Sequence, residues 1–196
     1  MKKKVFVCAF IAVCLSIVAY GTTAYFSYED TATNVITAGD VKIELQEWAI
    51  PDTGGDPVPF EDVIDVQPGM AVSKIVEVKN TGHQPAWVRI SVDKLIQLAE
   101  GVEGDVDLSL IEFDINDQYW IEKDGYYYYY TVLTPGNTTE YLFSSVKFSE
   151  SMDNMYQYSK AIIEVTAQAT QVVHNGDSVL DAVGWPKSEK GGNKEI

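Results

Sequence analysis

The chain has 196 residues, of which 46% are hydrophobic and 12% aromatic, enough apolar material for one buried core and too much for wholesale disorder. Its formal charge of −15 at pH 7 sets it against nucleic acid and anionic lipid as partners. Both cysteines, Cys8 and Cys14, fall near the start, so the remainder has no thiol for a disulfide, a thiolate metal site or a cysteine nucleophile.

Met1 to Lys4 is a basic start, and Val5 to Ala19 is an apolar run in which Ser16 is the one ordinary polar residue. That order matches the n-region and h-region of a signal peptide. Thr22 and Ala24 are the small residues a signal peptidase needs at −3 and −1 of a cut between Ala24 and Tyr25. The expectation is that residues 1–24 are removed on export, that membrane contact ends with the cut, and that losing Lys2, Lys3 and Lys4 takes the charge from −15 to near −18. An uncleaved anchor is the competing reading. Gly21, Thr22 and Thr23 interrupt the run, and the next charges, Glu29 and Asp30, have the wrong sign for a stop-transfer flank.

Beyond the leader, short strand signals alternate with turn residues, a spacing that belongs to a sandwich or barrel. Val41 to Leu45 alternates, Gln67-Pro68-Gly69 turns, and Val72 to Lys79 sets Val72, Val76 and Val78 on one face. Asn80-Thr81-Gly82-His83 turns again before Val88 to Val92, whose apolar side is Val88, Ile90 and Val92. The two runs predict an antiparallel hairpin over Gln67 to Val92 that turns at Asn80 to Pro85. Asp93 to Gly101 reads as the one short helix, with Asp93 as its cap and Gly101 as its stop.

Further strands are expected over Asp107 to Asp114, Gln118 to Glu122, Tyr126 to Leu133, Glu140 to Ser149 and Lys160 to Val172. Turns at Lys123-Asp124-Gly125 and Thr134-Pro135-Gly136-Asn137 separate three of them. The five tyrosines from Tyr126 to Tyr130 alternate faces in a strand, so half are expected in the core and half at the surface. Pro51 to Asp65 reads as an acidic loop, and the residues from Trp185 as a mobile tail. The fold class is therefore all-β, a single antiparallel sandwich behind a signal peptide.

Enzymatic signatures are missing. His83 and His174 stand outside any H-E-x-x-H pattern, and there is no G-x-S-x-G elbow, P-loop or dinucleotide fingerprint. Carboxylates gather at Asp52, Asp56, Glu61, Asp62 and Asp65 and at Asp105, Asp107, Glu112, Asp114 and Asp117, without EF-hand spacing. A solvated acidic face is the commoner meaning of such clusters. Asn137-Thr138-Thr139 fits a glycosylation sequon and is read as a turn. No catalytic, cofactor-binding or metal residue is assigned.

Several stretches together resemble the TasA and camelysin family of biofilm matrix proteins, including its BsaA-type members, exported through the SipW type of signal peptidase. They are Gly21 to Ser27, Thr31 to Gly39, Pro68 to Lys74 running into Val78 to Gly82, Asp124 to Tyr128, and Ile163 to Ala169. The resemblance implies a jelly-roll-like sandwich from a Gram-positive source, whose secreted subunits polymerise into extracellular fibres by donating an N-terminal strand. The partners it implies are further copies of the chain, the SipW-type peptidase during export, and minor matrix subunits. Residues 25–39 follow the predicted cut directly, and Phe26, Tyr28, Ala32, Ile36 and Ala38 share one parity, the side expected to enter a neighbour's core. Asp30 and Asn34 interrupt that stripe. The organisation expected is a signal peptide (1–24), a donor-strand segment (25–39), a β-sandwich (40–184) and a tail (185–196). A secreted camelysin-like metalloprotease and a monomeric cell-envelope binding module are the alternatives.

Overall fold

The computed structural model describes residues 35–37, 40–60 and 63–186, with the backbone alone at Ile36 and Val63. The strands are β1 (Val35–Thr37), β2 (Ile43–Ala49), β3 (Val58–Pro59), β4 (Val63–Asp65), β5 (Ala71–Ser73), β6 (Ile75–Asn80), β7 (Ala86–Gln97), β8 (Ile111–Phe113), β9 (Trp120–Lys123), β10 (Tyr126–Tyr129), β11 (Ser145–Phe148) and β12 (Lys160–Gln171). Two single 3-10 turns, Leu108–Leu110 and Asn154–Tyr156, are the only helical elements among the described residues.

One sheet runs β1-β12-β7-β10-β9, with β4 also on β12. Its spine is the antiparallel ladder of β7 and β12, in which every residue from Lys160 to Gln171 has a partner between Gln97 and Ala86. The second layer joins two smaller sheets, β3-β2-β6 and β5-β11-β8. Backbone bonds bridge them: Leu142 N donates to Val76 O at 2.7 Å, Val76 N to Phe143 O at 3.1 Å and Lys74 N to Ser144 O at 3.0 Å. The chain from β5 through β6 thus lies along the chain leading into β11, and the layer bends near Lys74 and Ser144. The result is an all-β, jelly-roll-like sandwich, antiparallel apart from the β1–β12 pair.

Alternation builds the core. Ile43, Leu45, Val76 and Val78 come from one layer, and Val88, Ile90, Ile163, Val165 and Ala167 from the other, around Trp120, Phe143 and Phe148. Trp120 sits 5.1 Å from Tyr129 ring to ring, and Phe113 stacks on Phe143 at 4.6 Å. At the β9–β10 turn, Asp124 (φ 53°) and Gly125 (φ 77°) take the two left-handed positions of a two-residue hairpin loop.

The structure corrects several expectations. Val76, Val78, Val88 and Ile90 are all fully buried, but β6 and β7 are not a hairpin. β6 pairs with β2, whereas β7 pairs with β12 and β10, so Asn80 to Pro85 carries the chain from one layer to the other. Strands facing each other across a core show the same alternation as strands paired side by side. Asp93 to Gly101 is not a helix: β7 continues to Gln97, because pairing with β12 to its last register position outweighs a local capping pattern. The loop from Pro51 to Asp65 contains β3 and β4.

The tyrosines of β10 serve two cores. Tyr127 and Tyr129 face the interior of the sandwich, while Tyr126 and Tyr128 meet a second cluster with Trp87, Val179, Ala182 and Trp185. The segment after β12 folds back over the outer face, so Gln168 and Thr170 are buried there while Lys160 and Glu164, on the same face further back, are exposed. Trp185, assigned to the tail by sequence, packs edge-on to Tyr128 at 5.8 Å; the tail positions 187–196 lie outside the described residues. Asn175 holds this strap. Its Nδ2 donates to Gln171 O at 2.8 Å and Val183 O at 2.9 Å, and its Oδ1 accepts from Val183 N at 2.7 Å.

Asn80 fixes the crossing between layers. It is fully buried, its Nδ2 donates to Gln84 O and Leu133 O at 2.9 Å each, and its Oδ1 accepts from Gly82 N at 2.9 Å. Asn80→Ala removes all three bonds; Leu133 O and Gly82 N keep backbone bonds to Ala86 N and Lys42 O, whereas Gln84 O loses its partner, and the change is expected to cost about 1–2 kcal/mol in thermal or denaturant unfolding. A loss below about 0.5 kcal/mol would show that water replaces those bonds freely.

Candidate assembly edge

The site singled out by sequence is the N-terminal segment, and its described part is β1. Of the expected donor residues, Ile36 lies in β1 with its backbone opposite Gln168. Phe26, Tyr28, Ala32 and Ala38 lie outside the described residues, as does the expected cleavage pair Ala24 and Tyr25. The residue that packs against the main core from this strand is Val35, of the other parity, opposite the fully buried Ala167. The stripe considered in the sequence ran through the even positions, so Val35 was not singled out.

β12 offers two flanks. β7 takes one along its whole length. On the other, β4 pairs antiparallel with Lys160–Ile162 and β1 pairs parallel with Ala167–Ala169. In this register the inward side of β12 is Ala161, Ile163, Val165, Ala167 and Ala169, all buried, so whatever occupies the β1 position closes the core. The Ile163 to Ala169 stretch that carried part of the family resemblance is this same strand segment.

Two further residues give the surroundings their charge. Lys74, at the end of the Pro68 to Lys74 motif, is fully buried, pairs with Glu47 of β2 and lies 3.8 Å from the ring centroid of Phe60. Arg89 on the outer face is held between Tyr126 (3.8 Å) and Trp185 (4.6 Å), and its Nε donates to Gln168 Oε1 at 2.8 Å. Nothing in the sequence pattern separates Arg89 from a surface residue; its setting depends on the returning strap.

The protease reading requires a cluster of ligands. His83 and His174 are both exposed, in the connections that leave the β7–β12 ladder at its Ala86–Gln171 end. Among the described residues no group of three or more His, Cys, Asp or Glu is arranged to hold a metal ion. Two of the acidic residues have local structural work. Asp114 Oδ1 accepts from Ser144 N at 2.9 Å and from Ser145 N at 2.7 Å, pinning the bend of the second layer. Asp107 caps the first 3-10 turn, and hydrogen bonds from the Ser109 hydroxyl and amide hold its carboxyl below the usual range. Among the described residues no helix is long and apolar enough to cross a membrane.

Glu77, on the outer side of β6, has its carboxyl raised by burial, an effect opposed by the bond it accepts from Trp48 Nε1 and reinforced by Glu140. A carboxyl raised in the folded state favours folding while protonated, and that contribution is lost as pH rises through the folded value. Glu77→Gln is therefore expected to stabilise the protein by about 0.5 kcal/mol at pH 7, with the gain disappearing below about pH 4. Melting curves across that range check it; a less stable variant at pH 7 would mean that the Trp48 bond requires the charge.

Residues 1–86 match the family model described as camelysin metallo-endopeptidase, a span that runs from the first residue to the start of β7. Comparison with curated proteins and with solved structures gave no match. Over those 86 residues the chain is similar to the camelysin family.

Proposed function

We propose that this chain is a secreted structural subunit, without enzymatic activity, that polymerises with its own copies into extracellular matrix fibres by donating its N-terminal segment. The observation that carries the reading is the placement of β1. It is an edge strand whose ladder closes the core of the sheet it joins, and the same ladder is available on every copy of the chain. A strand passed from each subunit to the next is a heterologous contact that does not close on itself, so it builds a filament and not a dimer.

On this reading a SipW-type peptidase cuts between Ala24 and Tyr25, freeing the start of the segment, and minor matrix subunits join the fibre. The similarity of residues 1–86 to the camelysin family and the all-β sandwich support the reading; the metallo-endopeptidase description belongs to the family model. Each processed subunit carries a charge near −18, so salt or divalent cations are expected to screen repulsion and speed growth.

Electron microscopy of the purified protein beginning at Tyr25 is the test. Filaments are expected from the wild type and from His83→Ala. Deleting Tyr25 to Asn34, or replacing Phe26 and Ile36 by Asp, is expected to leave a folded sandwich that forms none. Ordinary filaments from the deletion would refute strand donation, and chelator-sensitive hydrolysis of casein by the purified protein would refute the absence of enzymatic activity.

A further inference from the structure

Lys74 is a lysine withdrawn from solvent. It stands at the bend between β5 and β6, fully buried, on the parity of the buried Val76 and Val78. A buried ammonium is costly to hold. Glu47 pairs with it, and the Phe60 ring centroid lies 3.8 Å from its Nζ. In the β2–β6 ladder Glu47 is opposite Val76, so Lys74, two residues before Val76, is its diagonal neighbour on the same face, within reach of long side chains.

The backbone around the pair is fixed from several directions. Lys74 N donates to Ser144 O, Phe60 N to Glu47 O and Ile50 N to Ser73 Oγ, each at 3.0 Å, and Trp48 Nε1 donates to Glu77 Oε1 at 3.2 Å. Amine and carboxyl group are thus held in contact by their own strands. The Glu47 side chain keeps 22% exposure, which leaves a way out for a small molecule.

We propose that Lys74 and Glu47 join as an amide, an internal cross-link between β2 and the β5–β6 bend. A proton passes from Nζ to the carboxylate, a transfer that burial favours because it removes both charges. The Nζ lone pair then attacks the carboxyl carbon of Glu47. The bond between Nζ and Cδ forms, the bond between Cδ and the hydroxyl oxygen breaks, and the hydroxyl leaves with a proton from Nζ as water. The step exchanges no electrons and consumes no co-reactant. Fixed contact supplies its drive, since well-oriented intramolecular pairs reach effective concentrations of about 10⁵ M or more. The product replaces two charges by a neutral amide and closes residues 47–74, with β3, β4 and β5 among them, into a covalent loop that restricts the unfolded chain. No cysteine follows Cys14, so a disulfide could not do the same. The cross-link is independent of the fibre reading.

The mass of the purified, denatured wild-type chain tests it. The expected value is the mass of the sequence less one water. Trypsin does not cut after an acylated lysine, so residues 43–79 are expected as one peptide. Cleavage after Met70, the one methionine within that peptide, is expected to leave 43–70 and 71–79 joined. Lys74→Arg, which keeps the positive charge, is expected at its full mass. A wild-type chain of full mass that trypsin cuts after Lys74 would overturn the cross-link and leave a buried ion pair. Loss of water from Lys74→Arg as well, or fragments that separate after cleavage at Met70, would place the loss elsewhere and overturn it too.

Discussion

The ladder between β7 and β12 is the constraint from which the rest of the structure follows. With every position of both strands paired to the other, their inner side chains form one wall of the core and their outer side chains a continuous second face. β10 extends the wall from β7, and the far flank of β12 is left to two three-residue strands. A sheet built this way is strong in the middle and weakest where β1 sits.

The outer face divides into two halves with different fates. Around Trp87, Arg89, Tyr126 and Tyr128 it is roofed by the strap after β12, held by Asn175 and closed by Trp185 against the Arg89 guanidinium. Further along, Leu95 and Ile162 face each other across the ladder with no such roof, and Leu95 is 56% exposed. The roofed half lies over Ala167 and Ala169, the segment that pairs with β1, so the wall behind β1 is braced from outside.

Strand content and core membership were legible in the sequence because alternation survives whatever partner a strand takes: Val76, Val78, Val88, Ile90, Ile163 and Val165 are all buried. Partners were not legible. The turn at Asn80 reads equally as a hairpin or as a crossing between layers, and only the buried Asn80 amide, bonded to Gln84 and Leu133, distinguishes the two. Asp93 to Gly101 carried helix punctuation that long-range pairing overrode. Half of the Tyr126 to Tyr130 run pointed outward as expected, yet its burial depended on a strap whose composition read as a tail. At the candidate edge, the core-packing residue of β1, Val35, stands on the parity that the longer stripe did not use.

The central claim is that one subunit's N-terminal strand completes another's sheet on β12. Mixed filaments test it most directly, grown from equal parts of a Val35→Cys subunit and an Ala167→Cys subunit, neither of which can form the bridge within one chain. Under mild oxidation the account predicts a crosslinked heterodimer that appears in filaments and not in the dilute monomer mixture. Filaments of ordinary morphology that yield no such crosslink would contradict it, and would mean that contacts between folded surfaces build the fibre.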